Sequence, residues 1–334
     1  MRVKSTCVWM LYAGVAFALS GSIAVGMAWG LKRAWSWYVM EQATAQFFAA
    51  CRECRYDDAA KLMVSADLKK PAVQAAIGRM FEMGNGVEQD YAEAIRWYKM
   101  AVEKGNARAL NNLGTMYYDG RGVKKDRAVA GGLFRRAAEK GNILAARNLG
   151  TSYYYGYGVE SNHVEAAKWY RLAAERGEPV SQHSLGLMCL HGRGVEKDAE
   201  EAMQWFRLAA EQGDEESIGR VGWMYLKGVG VEKDDSEAFK WLRLAAEKGV
   251  CWAQVQVGIM CRDGVGTKKD AAETFQWLRL AAGNGDAWAQ TQTGWRLQYG
   301  IGVATNEAEA VHWYRKAAAQ GNDYAKKALK KLGR

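Results

Sequence analysis

Apolar and polar positions repeat along this chain with a period of 36 residues over residues 72–321. In the second half of each period, small and large apolar residues alternate at spacings of three and four. Ala94, Trp97 and Ala101 return as Ala202, Trp205 and Ala209, and again as Ala238, Trp241 and Ala245. That spacing puts them on one face of an amphipathic helix packed against its neighbours. The tryptophan column (Trp97, Trp169, Trp205, Trp241, Trp277, Trp313) is expected to form its core. A period of this length means a stacked array in which each unit buries its apolar face on the next.

Glycine marks where each unit turns. Gly78 recurs at 114, 150, 186, 222, 258 and 294, and three further columns, beginning at Gly84, Gly86 and Gly105, are glycine in all seven units. The motif Gly120-Arg121-Gly122-Val123 closes a first helix, because glycine enters the left-handed conformation without strain. Asp or Asn follows four residues after the second loop glycine, from Asp90 to Asn306, and Glu stands three residues later in six of the seven units. This spacing predicts a capping box at the start of the second helix. Pro71 and Pro179 share a column at the start of the first helix, where a missing N–H does no harm.

A unit such as "AARNLGTSYYYGYGVESNHVEAAKWYRLAAERG" at residues 145–177 resembles the Sel1-like repeat, a relative of the tetratricopeptide repeat. The resemblance covers residues 72–321 and implies an all-α fold, a right-handed α/α solenoid of seven 36-residue helix-turn-helix repeats. It also implies adaptor or scaffold proteins, many of them bacterial and exported, that hold partners in signalling, envelope or host-contact complexes. One unit departs from the pattern: Gly131-Gly132-Leu133 stands where the others have a residue pair followed by Trp.

Outside the repeats the two ends differ. Residues 5–31 form an uncharged run of 27, flanked by Arg2 and Lys4 on one side and by Lys32, Arg33, Trp35, Trp37 and Tyr38 on the other. About 20 apolar residues cross a bilayer as a helix, and cations with an aromatic belt suit its ends. Residues 1–31 therefore read as a transmembrane anchor, with a cleaved signal peptide ending near Ser22-Ile23-Ala24 as the alternative. The repeats would then lie in the periplasm or extracytoplasmic space, or be secreted after cleavage. A four-spaced stripe, Gly14, Ala18, Ser22, Gly26 and Gly30, offers a weak route to a homodimer through the anchor. Residues 32–71 read as a linker and a degenerate N-terminal helical cap. At the other end, residues 322–334 carry Ala325, Ala328, Leu329 and Leu332 at helical spacing opposite four lysines, a basic capping helix.

The net charge of +9 is concentrated at these ends. Residues 1–41 hold +3 and residues 324–334 hold +5, leaving +1 on the body. Phosphate affinity needs many cationic contacts, so a nucleic-acid partner is excluded for the repeats. The six cysteines give no framework: Cys189 and Cys261 occupy an otherwise Tyr-rich column, and Cys51 with Cys54 is the one plausible pair. The four histidines fall in four different columns with no zinc-helix spacing, and the Gly-x-Gly loops precede no Lys-Ser/Thr pair. No G-x-S-x-G occurs. No metal, cofactor or catalytic set is assigned.

Trp223, Trp252, Trp288 and Trp295 lie instead on first helices of the last three units, in variable columns. By similarity to tetratricopeptide repeats these columns face a concave groove, so the four are candidate anchors for a protein or peptide partner; local packing between first helices is the competing reading. Asn111, Asn112 and Asn148 form a second, weaker patch able to hydrogen-bond an extended backbone, with Arg147 and His183 in the groove columns beside them. The leading function is a membrane-tethered, non-enzymatic interaction scaffold. The alternative, a cell-envelope enzyme or regulatory subunit acting on wall material, needs Arg79, Glu82, Arg147 and His183 to converge.

Overall fold

Asp and Asn side chains start the second helices, as the spacing predicts, but the capping box is not made. In a computed structural model of the protein, which describes residues 38–333 apart from 52, 54, 64 and 65, Asp90, Asp126, Asp198, Asp234 and Asp270 each accept a backbone N–H from the first turn of the helix they precede. The backbone N–H of the cap residue is already taken. Asp198 donates to the Cys189 carbonyl and Asp234 to that of Tyr225, both on the first helix of the same repeat. Glu three residues later is thereby released for other work.

Glu93, Glu165 and Glu237 pair with Arg96, Lys168 and Lys240 of their own helix, whereas Glu201, Glu273 and Glu309 work between neighbouring repeats. Glu201 Oε1 accepts from Trp205 Nε1 at 3.0 Å, and from Arg171 of the preceding repeat at 2.7 Å. Glu309 repeats the arrangement with Trp313 and Arg279, at 3.3 and 3.0 Å. The Arg171 hydrogen bond, against the opposing effect of burial, holds the Glu201 carboxyl below its usual range. One carboxylate thus orients a tryptophan and ties two repeats together.

The tryptophan column is split: Trp97, Trp169, Trp205 and Trp241 stand half-buried at the rim of the core, whereas Trp277 and Trp313 are buried in it, as expected. The next residue is enclosed in every repeat: Tyr98, Phe134, Tyr170, Phe206, Leu242, Leu278 and Tyr314. These side chains explain the helical glycine column. A Cβ at Gly186 would lie 2.8 Å from Phe206 Cε1, and one at Gly78 would lie 2.7 Å from the Tyr98 ring. Glycine is needed there because the second helix lays a large side chain directly on the first helix's backbone.

Each repeat is a pair of helices, and the chain divides into two units, Met1–Asn142 and Ile143–Arg334. In the first unit, residues 38–51 and Tyr56–Met63 are helical, and Phe47, Ala50 and Ala59 pack with Val73, Ile77 and Met80 of repeat 1. Repeats 1 and 2 follow as Pro71–Met83 with Tyr91–Glu103, and Ala107–Asp119 with Arg127–Glu139. The second helix of repeat 2 passes unbroken through Gly131 and Gly132, and Leu133 fills the tryptophan's place, buried.

The second unit holds repeats 3–7, with first helices Ile143–Tyr155, Pro179–His191, Glu215–Lys227, Cys251–Asp263 and Ala287–Tyr299. A glutamine stitch joins repeat 3 to 4, 5 to 6 and 6 to 7. Gln182 donates to the Ala174 carbonyl of the preceding repeat at 3.1 Å and accepts from Gln212 at 2.8 Å; Gln290 does the same with Ala282 and Gln320. It adds a side-chain bond to helix-end carbonyls that also accept the N–H of the loop glycine, Gly177 or Gly285. Asp323–Lys331 closes the unit, with Ala325 fully buried, Leu329 and Leu332 packed on the core of repeat 7, and its lysines exposed. All helices and no strands among the described residues give the all-α, α/α repeat fold.

The uncharged run at 5–31, its small-residue stripe and Cys54 lie outside the described residues. Among the described residues no helix is long and apolar enough to cross a membrane.

Candidate functional site

Helical geometry gives each first helix of the second unit one outward stripe, at its second, sixth, ninth and thirteenth residues. In repeats 3–7 the second position holds Leu144, Val180, Glu216, Trp252 and Trp288. The ninth holds Thr151, Leu187, Trp223, Ile259 and Trp295. Leu144, Val180 and Trp288 are exposed, and Leu187, Trp223, Ile259 and Trp295 are half-buried. Two mostly apolar rows therefore run across the first helices, separated by the polar sixth-position row Asn148, Ser184, Arg220, Gln256 and Gln292, with Tyr155 and Tyr299 exposed at the thirteenth. Trp295 tilts against Tyr299 with ring centroids 5.7 Å apart.

Trp252 is different, since most of it is committed to the neighbouring repeat. Its ring fills the space over Gly219, where a Cβ would approach within 2.6 Å. Its Nε1 donates to Glu216 at 2.9 Å, and the Arg220 guanidinium lies 5.5 Å from the ring centroid. Trp252 is a wedge between repeats 5 and 6. Of the four tryptophans, Trp288 is the exposed one.

The polar candidates are also engaged in holding repeats together. Arg147 pairs with Glu178, the cap of the next first helix, at 3.2 Å, and donates to Asn148 at 3.4 Å. One repeat further on, His183 meets the equivalent cap, Asp214, at 3.4 Å and Ser217 Oγ at 2.8 Å. Burial opposes ionisation of Asp214, but the bonds from His183 and Ser217 hold its carboxyl below the usual range. In the first unit, Asn111 is buried and donates to Asn112, which donates to the Tyr98 hydroxyl at 3.2 Å. The Tyr98 hydroxyl donates in turn to Glu82 at 2.6 Å, and Glu82 is ion-paired with Arg121 at 2.9 Å. Burial, then the bond to Glu82, raises the Tyr98 phenol well above its usual range.

These contacts bear on catalysis. Ser217, His183 and Asp214 do meet, but Ser217 and Asp214 approach the same ring nitrogen, Nδ1, and Ser217 is fully buried. A nucleophilic serine needs the histidine between it and the acid, with its own oxygen open to substrate. Glu82 is likewise closed in by Tyr98 and Arg121. Burial, followed by the charge of Glu201 or Glu273, pushes the thiols of Cys189 and Cys261 up to about 12, which leaves them without thiolate character. Among the described residues no three His, Cys, Asp or Glu side chains are placed to hold a metal ion.

Leu144, Val180, Leu187 and Ile259 are surface residues the tryptophan reading passed over. The signal was present, because each stands a multiple of 36 residues from one of the four tryptophans.

Seven segments of the chain, 71–106, 107–142, 143–178, 179–214, 216–250, 253–286 and 289–322, match the Sel1 repeat. Among solved structures the chain is similar to c5321, a protective antigen of uropathogenic Escherichia coli strains with an SLR fold, at 35% identity and a TM-score of 0.75. That match covers 79% of this chain and 56% of the antigen, so the chain spans little more than half the antigen's length. It is similar also to a Sel1 repeat protein from Oxalobacter formigenes, at 30% identity and a TM-score of 0.69, covering 89% of this chain and 90% of that one. No curated protein sequence matches the chain.

Proposed function

The chain belongs to the Sel1 repeat family, and from that premise we propose that it is a non-enzymatic scaffold holding a protein or peptide partner on the first-helix face of repeats 3–7. Sel1 repeats generally serve as protein-interaction scaffolds. The observation that carries the reading is the pair of mostly apolar rows, with Trp288 standing 37% exposed and Trp295 and Ile259 half-buried. Exposed apolar side chains rimmed by polar ones mark interaction surfaces, and binding energy concentrates on aromatic anchors of this kind. The wall-enzyme alternative gains no support from the site, whose acid, base and thiol groups are tied up in separate local contacts.

The test separates docking from packing. Trp288→Ala and Leu187→Glu should weaken crosslinking of a partner from a photoreactive residue placed at Gln292, while the thermal melt moves little. Trp252→Ala should lower the melting temperature, because it removes the wedge over Gly219. Crosslinks that persist in Trp288→Ala and Leu187→Glu while the melts stay unchanged would place the partner on another face.

A membrane tether belongs to the same proposal. It is supported by the 27-residue uncharged run with its flanking cations and aromatics. On this reading the repeats are extracytoplasmic. A reporter active only outside the cytoplasm should work when fused after residue 45, and a fusion active only inside would overturn the assignment.

A further inference from the structure

The first helix of repeat 7, Ala287–Tyr299, departs from its neighbours at two enclosed positions. The column that holds Leu185, Val221 and Val257 in repeats 4–6 carries Thr293 there, and the column that holds Met188, Met224 and Met260 carries Arg296. Thr293 is 0% exposed and Arg296 only 3%. Three residues apart on a helix, they lie on one face.

Neither substitution is compensated within the chain. Thr293 Oγ1 and Arg296 Nε are shut off from solvent without a hydrogen-bond partner. Among the described residues, no carboxylate pairs with Arg296, whereas Arg121, Arg147, Arg171 and Arg279 each have one. Burial, and then the charge of Arg262 on the preceding first helix, pushes Arg296 below the usual guanidinium range. Arg262 itself is occupied, making a two-pronged pair with Asp263 at 2.8 Å. An enclosed cation with no counter-charge destabilises a fold relative to the methionine that the neighbouring repeats show to fit.

We propose that Arg296 and Thr293 form a carboxylate-binding site in repeat 7, whose missing counter-charge is supplied by a ligand. A guanidinium donates two parallel N–H bonds to the two oxygens of a flat carboxylate, and the Thr293 hydroxyl, enclosed one turn away on the same face, is a second unpaired donor that a carboxylate reaching Arg296 would have to enter far enough to meet. Arg296 is so nearly closed over that the approach is narrow, which favours a flat, singly charged group over a tetrahedral, more strongly hydrated phosphate. An acidic side chain, a chain terminus and a free small acid all present this group. The site stands on repeat 7 alone and does not depend on a partner occupying the first-helix face.

The experiment is a set of thermal melts of the full chain at pH 7 in sodium acetate, with sodium chloride and sodium phosphate at matched ionic strength as comparisons. Wild type is run beside Arg296→Met and Thr293→Val, each of which restores the residue of the neighbouring repeats. In chloride, Arg296→Met is expected to melt above wild type. Acetate should raise the wild-type melt saturably and leave Arg296→Met where chloride puts it. Thr293→Val should need about tenfold more acetate for the same rise, for the loss of one hydrogen bond to a charged group. N-acetylalanine, with a terminal carboxylate, and N-acetylglutamate α-amide, with a side-chain one, distinguish the source by which saturates at lower concentration. Equal acetate shifts in wild type and Arg296→Met would mean a general salt effect and end the proposal. So would an Arg296→Met melt below wild type in chloride, because the arginine would then be stabilising without a ligand. A larger rise in phosphate than in acetate would overturn the carboxylate assignment.

Discussion

Phe206→Ala is expected to lower the unfolding free energy by about 3–5 kcal/mol, the range for deleting an enclosed aromatic ring. Trp205→Ala, one residue earlier and larger in volume removed, should cost about 1–2 kcal/mol. The order runs against side-chain size because the two residues differ in enclosure. Phe206 is fully buried, with Gly186 of the first helix directly beneath its ring, so its removal leaves a cavity between two helices that cannot close. Trp205 is half-buried at the rim, and its loss forfeits partial packing and one hydrogen bond to Glu201, whose ion pair with Arg171 survives. Urea denaturation of the two variants checks it. Equal costs would show that Trp205 belongs to the centre of the core.

That reversal shows what the sequence could and could not convey. The period, the helix pairs and their starting residues were legible because caps and loop glycines act locally: Asp198 bonds within three residues of itself, and Gly120 takes φ +80° at its own position. Which of two adjacent apolar columns is enclosed depends on the rotation of the second helix against the first, and Trp205-Phe206 or Trp241-Leu242 reads equally well in either phase. The glutamate column looked like a capping-box partner because Glu201 has the right spacing from Asp198. The competing acceptor for the Asp198 N–H, the Cys189 carbonyl, is nine residues back and visible only once the helices pack.

For the candidate site the same limit applied with more force. Trp252 and Trp288 share a column and cannot be told apart by position, yet Trp252 falls over Gly219 while the matching residue beneath Trp288 is Val255. Arg147 and His183 read as groove residues because nothing local marks Glu178 and Asp214, the caps of the following first helices, as their partners. Contacts across 31 residues are invisible to a reading by columns until two columns are compared at that offset.

A second substitution pair isolates one such long-range contact. Gly230→Ala is expected to cost about 3 kcal/mol or more, and Gly213→Ala only about 1–2 kcal/mol, although both glycines have positive φ, +68° and +89°. The left-handed conformation penalises alanine similarly at both positions. Around Gly213 nothing lies within 4 Å of an added Cβ, so the conformational cost is the whole cost. At Gly230 the Cβ would collide with the backbone carbonyl of Ala199, the first residue of the preceding repeat's second helix. Gly194 stands in the same relation to His163 and Gly266 to Asp235, so the second loop glycine of these repeats is where one repeat seats on another. Backbone cannot swing aside as a side chain can, and the collision must open the joint between repeats 4 and 5. Asparagine tolerates the left-handed region better than alanine, which gives the control. Gly213→Asn should recover much of what Gly213→Ala loses, while Gly230→Asn should recover little, because its Cβ meets the same carbonyl. Denaturation midpoints of the four variants decide the matter, and a Gly230→Asn as stable as Gly213→Asn would show that conformation alone, not the seat on Ala199, requires glycine there.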